Sequence, residues 1–136
     1  MKILIDTSFV IALVNDKDEN HEKALRLSIE YDKHPMLITD AIILEIGNAL
    51  SRGFKSEVIE AIEGFFSSKG VEVIRLDEVL FDKAFAVYKS NVDKTYGLVD
   101  CISFVIMRDH DIPDALTHDR HFVQAGFRAL MRDAVN

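Results

Sequence analysis

Short apolar runs alternate with longer segments of helical period along this chain, and that alternation leaves few folds open to it. Lys2 to Ile5, Met36 to Ile38, Val71 to Ile74 and Ala115 to Thr117 each carry three or four mostly apolar residues and stop at a polar or turn-forming position. Runs that short suit strands buried in a sheet. Arg128 to Met131 reads as a last, brief strand. Strands separated by helices pair in parallel, because the crossing helix returns the chain to the same edge of the sheet. The expected fold class is therefore α/β, with a central parallel sheet of about four or five short strands and helices on both faces.

The intervening segments carry their own start and stop signals. Ser8 to Val14 reads as a first helix. Asn20 or Asp18 caps a second, which runs to about Tyr31 with Ala24, Leu25 and Ile29 on one stripe and ends before His34-Pro35. Thr39 or Asp40 caps a third, which turns Ile42, Ile43, Ile46, Ala49 and Leu50 inward and closes at Gly53. Ser56 opens a fourth, in which Val58, Ile59, Ile62, Phe65 and Phe66 hold the helical period to about Ser68. Asp77 caps a fifth that runs through Lys89, Val99 to Arg108 is a strongly apolar sixth, and Phe122 to Ala125 is a short seventh.

Length and composition bound what these elements build. At 136 residues and 49% hydrophobic, the chain has the size and apolar content of a single domain over residues 1–136. The single Cys101 excludes an internal disulfide and reads as a small core residue of a reduced, cytoplasmic chain. Asp6 interrupts the apolar start and no small-residue cleavage site follows, so that start does not read as a signal peptide. Nothing approaches the roughly 20 apolar residues of a membrane span. A net charge of −7 argues at first sight against a nucleic-acid partner, but acids that serve as metal ligands do not count against one in that way. Arg52, Lys55, Lys89, Lys94, Arg108 and Arg120 lie near such acids in sequence, and read either as a positive rim or as part of a mixed-charge surface.

The acids in question are Asp6, Glu45, Asp100 and Asp119. In open α/β sheets a ligand site lies beyond the carboxyl ends of the strands. Asp6 directly follows the first strand and Asp119 follows the Ala115 to Thr117 strand. Asp100 falls in the first turn of its helix, where the dipole favours negative charge, and Glu45 sits on a helix that starts at the same edge. Convergence on one hard cation would make the chain a metal-dependent hydrolase. Singly, each acid has a plainer reading: Asp6 and Asp100 as helix caps, Glu45 as a solvated helix residue, Asp119 as a turn former or cap. Jointly they favour a site, since Asp6 lies between Ile3-Leu4-Ile5 and an apolar helix, an expensive place for an unpaired charge.

The ordered set Ile3-Leu4-Ile5-Asp6-Thr7-Ser8, Glu45 in a mid-chain helix, Leu98-Val99-Asp100-Cys101, and Ala115-Leu116-Thr117-His118-Asp119-Arg120-His121-Phe122 resembles the PIN-domain family over nearly the full chain. It is most similar to the small single-domain prokaryotic members, many of which are VapC-type toxin ribonucleases of type II toxin–antitoxin systems. The resemblance implies a single PIN-like domain and a Mg²⁺- or Mn²⁺-dependent endoribonuclease hydrolysing RNA phosphodiester bonds. It also implies an antitoxin protein as partner and a homodimer. It carries the four acids onto Asp6, Glu45, Asp100 and Asp119 as metal ligands and catalytic residues, with Asp6 and Asp100 the most direct, and gives Thr117, and Thr7 or Ser8, a supporting hydroxyl. Many relatives have Ser or Thr three residues before the third acid. Here that residue is Gly97, a tolerable cap without a hydroxyl.

Such a site needs carboxylates alone, because Mg²⁺ and Mn²⁺ prefer oxygen ligands. His118 and His121 bracket Asp119, but zinc sites show sets of three or four Cys and His, and His121 reads as packing beside Phe122. Three other α/β families do not fit: a haloacid-dehalogenase-like phosphatase wants a second acid where Ser8 stands, a receiver an acidic pair after the first strand and a Lys after the last, and a dinucleotide-binding fold a Gly-rich turn where the chain reads Asp-Thr-Ser-Phe. The rival of another class is a non-catalytic PIN-like module that binds RNA or protein. Apolar positions on the Thr39 to Ser68 helical pair read either as cover for the sheet or as a groove for an antitoxin segment or a second copy.

Overall fold

A computed structural model describes residues 2–133; Met1 and residues 134–136, the ends of the expected single domain, lie outside the described residues. Five strands form one parallel sheet: β1 (Ile3–Ile5), β2 (Met36–Thr39), β3 (Val71–Ile74), β4 (Asp114–Leu116) and β5 (Arg128–Ala129). Helices α1 (Thr7–Val14), α2 (His21–Glu30), α3 (Asp40–Ala49), α4 (Lys55–Ser67), α5 (Glu78–Ser90), α6 (Leu98–Asp109) and α7 (Arg120–Gln124) flank it. The α/β class and the parallel sheet agree with the sequence.

Spatial order in the sheet is β3-β2-β1-β4-β5. β1 takes the centre because all three of its side chains are buried, as a strand covered on both faces requires. Leu4 is in register with Leu37 on one side and Ala115 on the other, and Ile5 with Leu116. The chain builds from β1 outward through β2 and β3, then crosses back to β4 and β5. Between β1 and β4 the order reverses, which is where a doubly wound sheet leaves a crevice for a ligand.

The helices show why burial and period need not coincide. In α6 the seven consecutive residues Cys101 to Met107 are all buried, and the helix packs against α3, α5 and α7. A helix apolar all round belongs in the middle of a domain. α2 instead buries Ala24 and Leu27, leaving Leu25 and Ile29 at the surface, so the expected stripe is one step off. Ala49 of α3 is likewise exposed rather than inward. In α4 Val58 is buried, Ile62 and Phe65 pack at the edge of the core, and Ile59 and Phe66 face solvent. The last strand is two residues long, and Leu130–Arg132 forms a 3₁₀ turn that buries Leu130 and Met131.

Capping bonds fix the helix starts. Thr39, not Asp40, caps α3, its Oγ1 accepting the Ile42 N–H at 3.1 Å; the Asp40 carboxylate accepts the Leu76 N–H at 3.0 Å and ties α3 to the end of β3. Asp77 caps α5 through the Leu80 N–H. Among the described residues no helix is long and apolar enough to cross a membrane.

Candidate active site

The ends of β1 and β4 lie side by side, so the residues that follow them meet. Register pairs Ile5 with Leu116, and one position on, the Thr117 hydroxyl donates to Asp6 Oδ2 at 2.6 Å. Thr117 Oγ1 also accepts the Asp119 N–H at 3.0 Å and lies 3.2 Å from Ser8 Oγ. With its only proton committed to Asp6, Thr117 accepts from Ser8, whose oxygen in turn accepts the His118 N–H at 3.0 Å. Every hydrogen-bonding capacity of the Thr117 hydroxyl is thus used, and the chain of donors ends on one carboxylate.

Asp6 is 6% exposed and makes no side-chain cap bond to α1, although it stands at the cap position. The cap explanation therefore does not account for it. Burial pushes its pKa from the ordinary 3.8 up to about 7, the Thr117 hydroxyl works against that shift, and the negative charges of Asp100 and Asp119 add to it. A buried carboxylate with one hydroxyl donor and other acids nearby is short of positive charge.

Asp100 and Asp119 are held differently. Asp100 sits in the first turn of α6, and its Oδ2 accepts the Gly97 N–H at 3.0 Å. Asp119 caps α7, its Oδ1 accepting the His121 N–H at 2.9 Å. The imidazole of His121 lies between them, Nδ1 being 3.1 Å from Asp100 Oδ2 and 3.3 Å from Asp119 Oδ1. Its Nε2 is 2.8 Å from Thr95 Oγ1, and its ring meets Tyr96 edge-on. Burial raises the pKa of Asp100, the Gly97 N–H opposes this, the Asp119 charge adds to it and His121 relieves it.

Glu45 reaches the same cleft from α3. Thr7 Oγ1 donates to its Oε1 at 2.5 Å, so the first turn of α1 holds it. A cavity of about 420 Å³ is lined by Asp6, Glu45, Asp100 and Asp119 together, with Ser8 and His121 among its other walls. The structure thus brings all four acids to one cleft at the carboxyl edge of the sheet, with Thr117 beneath it.

The donor set fits a hard divalent cation. Ligand atoms of Asp100, Asp119 and His121 lie within 4.8 Å of one another, and Asp6 adds a buried carboxylate in need of a counter-charge. Oxygen predominates among these donors, as Mg²⁺ and Mn²⁺ prefer. Cys101 is buried, and burial raises its pKa, so it packs rather than reacts.

His121 is the residue that the sequence reading misplaced. It faces the acids, while Phe122 beside it turns into the core against Phe104. Neighbours on one helical turn point about 100° apart, so the cap of α7 at Asp119 carried the signal. Thr95 and Tyr96, which fix the imidazole, lie in the turn before α6 and have no local pattern that marks them.

Comparison with known proteins gives three findings. The PIN domain family matches residues 3–128. Two curated proteins of Mycobacterium tuberculosis, from strains CDC 1551 / Oshkosh and ATCC 25618 / H37Rv, are both called 23S rRNA-specific endonuclease VapC20. Each is 32% identical to this chain over 126 residues, which cover 92% of this chain and 95% of the relative. The crystal structure of Mycobacterium tuberculosis VapC20, described as a Sarcin-Ricin loop cleaving toxin, aligns with a TM-score of 0.81 at 29% identity, over 92% of this chain and 95% of that one.

Proposed function

Because this chain belongs to the PIN-domain family, we propose that it is a divalent-metal-dependent endoribonuclease, the toxin of a toxin–antitoxin pair. The observation that carries the reading is the meeting of Asp6, Glu45, Asp100 and Asp119 in one cleft at the point where strand order reverses. Similarity to the VapC20 proteins over 92% of the chain supports RNA as the substrate class and makes the sarcin–ricin loop the first RNA to try. Retention of all four acids speaks for catalysis rather than a binding-only module.

Asp6, Asp100 and Asp119 would hold a Mg²⁺ or Mn²⁺ ion, with Glu45 binding directly, through water, or orienting the nucleophile. A bound ion would supply charge neutralisation at the scissile phosphate and a water nucleophile near neutral pH. The chain's own residues do the positioning. Thr117 fixes which oxygen of Asp6 faces the cleft, and Ser8 fixes Thr117. Thr7 restrains Glu45, and the Gly97 N–H aims Asp100. His121 spans Asp100 and Asp119 and keeps the two carboxylates within reach of one another.

The surface supports a protein partner. Leu44 is 69% exposed on α3, and Ile59 and Phe66 are half-exposed on α4. These apolar positions suit an antitoxin segment, and the family resemblance supports a homodimer working in the cytoplasm. The single folded unit over residues 1–136 belongs to the same proposal.

Incubating the protein with total RNA and with a sarcin–ricin loop hairpin, in Mg²⁺, in Mn²⁺ and in chelator, tests the activity. Cleavage by the wild type that stops with chelator and with Asp6→Asn is the expected result. Cleavage that persists undiminished in Asp6→Asn overturns the assignment.

A further inference from the structure

A second cavity, of about 400 Å³, opens beside the acidic cleft between the end of α5 and the turn that leads into α6. Its lining is of the opposite character. Phe85, Tyr88 and Tyr96 give aromatic surface, Lys89 and Lys94 give two ammonium groups, and Thr95 a hydroxyl. Phe85 and Tyr88 are 41% and 44% exposed, with ring centres 6.4 Å apart and planes inclined at 28°. Lys89 Nζ stands 4.7 Å from the Phe85 ring centre and forms no salt bridge among the described residues. Lys94 has Asp93 at 3.7 Å, in a pair open to solvent.

The two cavities share a wall. Thr95 and Tyr96 line this one, His121 lines the acidic cleft, and they meet through the 2.8 Å hydrogen bond and the edge-on ring contact. In a chain of net charge −7, one lysine over an exposed aromatic ring and a second lysine lining the same cavity, joined to the acidic cleft through the Thr95–His121 contact, call for an anionic ligand with flat rings. A nucleotide has both: its base offers a π-face to the aromatic walls and its phosphate a charge to the ammonium groups.

Resting on the reading of the acidic cleft as a ribonuclease centre, we propose that this cavity takes one unstacked base of the RNA beside the scissile phosphate. The base lies against the Tyr88 and Tyr96 walls, with Lys89 and Lys94 on the adjoining phosphates. Cleavage near unpaired bases follows, because a base held in a helix cannot enter.

Binding of a fluorescein-labelled single-stranded RNA, read by anisotropy in Ca²⁺ to suppress cleavage, tests this. Tyr88→Ala is expected to weaken binding roughly tenfold or more, and Tyr88→Phe, which keeps the ring, to restore it. Lys89→Ala should weaken binding less and flatten its salt dependence by somewhat under one counterion. A 2-aminopurine in the RNA should be quenched by the wild type and not by Tyr88→Ala. Wild-type-like binding by Tyr88→Ala and Lys89→Ala, or no RNA binding by the wild type, overturns the proposal. So does a Tyr88→Ala protein whose only change is its sedimentation, since the cavity would then be a contact between copies. The parent reading fails separately: RNA bound through this cavity but never cleaved in Mg²⁺ or Mn²⁺ removes the nuclease and leaves the cavity's role standing.

Discussion

The two halves of the acidic cleft solve one electrostatic problem in different ways. On the β1 side, Asp6 is almost fully buried and has one hydroxyl donor, with no salt bridge among the described residues. On the α6–α7 side, Asp100 and Asp119 are partly exposed and share an imidazole. The imidazole eases the second half, although burial still raises the pKa of Asp100. The first half has no such neighbour, and the Asp6 pKa of about 7 records the deficit. A divalent ion would complete the Asp6 half, so Asp6 is where a bound metal would matter most.

The largest expected effect is on cleavage. Asp6→Asn and Asp100→Asn should each lower the rate by roughly a hundredfold or more, beyond the ten- to hundredfold typical of residues that only support a ligand. Equal, small losses would mean that neither half holds the reacting ion.

Stability should separate the halves next. An acid whose pKa is raised in the folded state binds its proton more tightly there than in the unfolded chain, so stability falls as pH rises from about 4 to about 7 and stays low above. Removing that ionisation should raise the stability of Asp6→Asn over the wild type at pH 8 in chelator by about 2 to 4 kcal/mol, read by chemical denaturation. At pH 4 the gain should vanish. Mg²⁺ or Mn²⁺ at pH 8 should stabilise the wild type more than the variant.

Thr117→Val strips the buried hydroxyl from Asp6, Ser8 and the Asp119 N–H at once. We expect a loss of about 1 to 3 kcal/mol in stability and roughly a tenfold loss in cleavage, measured on the same preparation. Gly97→Ser should do least. The residue has φ of −76°, and an added Cβ would lie 3.7 Å from Asp100 Oδ2, an ordinary contact. Unfolding free energy, and the activation free energy for cleavage, should stay within about 0.5 kcal/mol of wild type.

Much of this was legible in the sequence, and the exceptions have physical causes. The strands were readable because buried parallel strands are short and continuously apolar, as Ile3-Leu4-Ile5 is. The carboxyl edge was readable for Asp6 because it directly follows β1, and for Asp119 because it lies in the short turn after β4. The outward faces of α2 and α4 were not, since Ile29 and Phe66 obey the helical period yet face solvent. Period reports an amphipathic face and not what covers it. His121 was misread for a related reason: its neighbour Phe122 does enter the core, and only the cap at Asp119 turns the imidazole the other way.

The central claim is that one ion is shared by residues from both halves. Titrating the wild type, Asp6→Asn and Asp100→Asn with Mn²⁺ and following the free ion by electron paramagnetic resonance tests it most directly. Weakened Mn²⁺ binding in both variants, with binding by the wild type falling as pH drops below about 7, is the predicted result. Mn²⁺ bound equally well by all three proteins would contradict it.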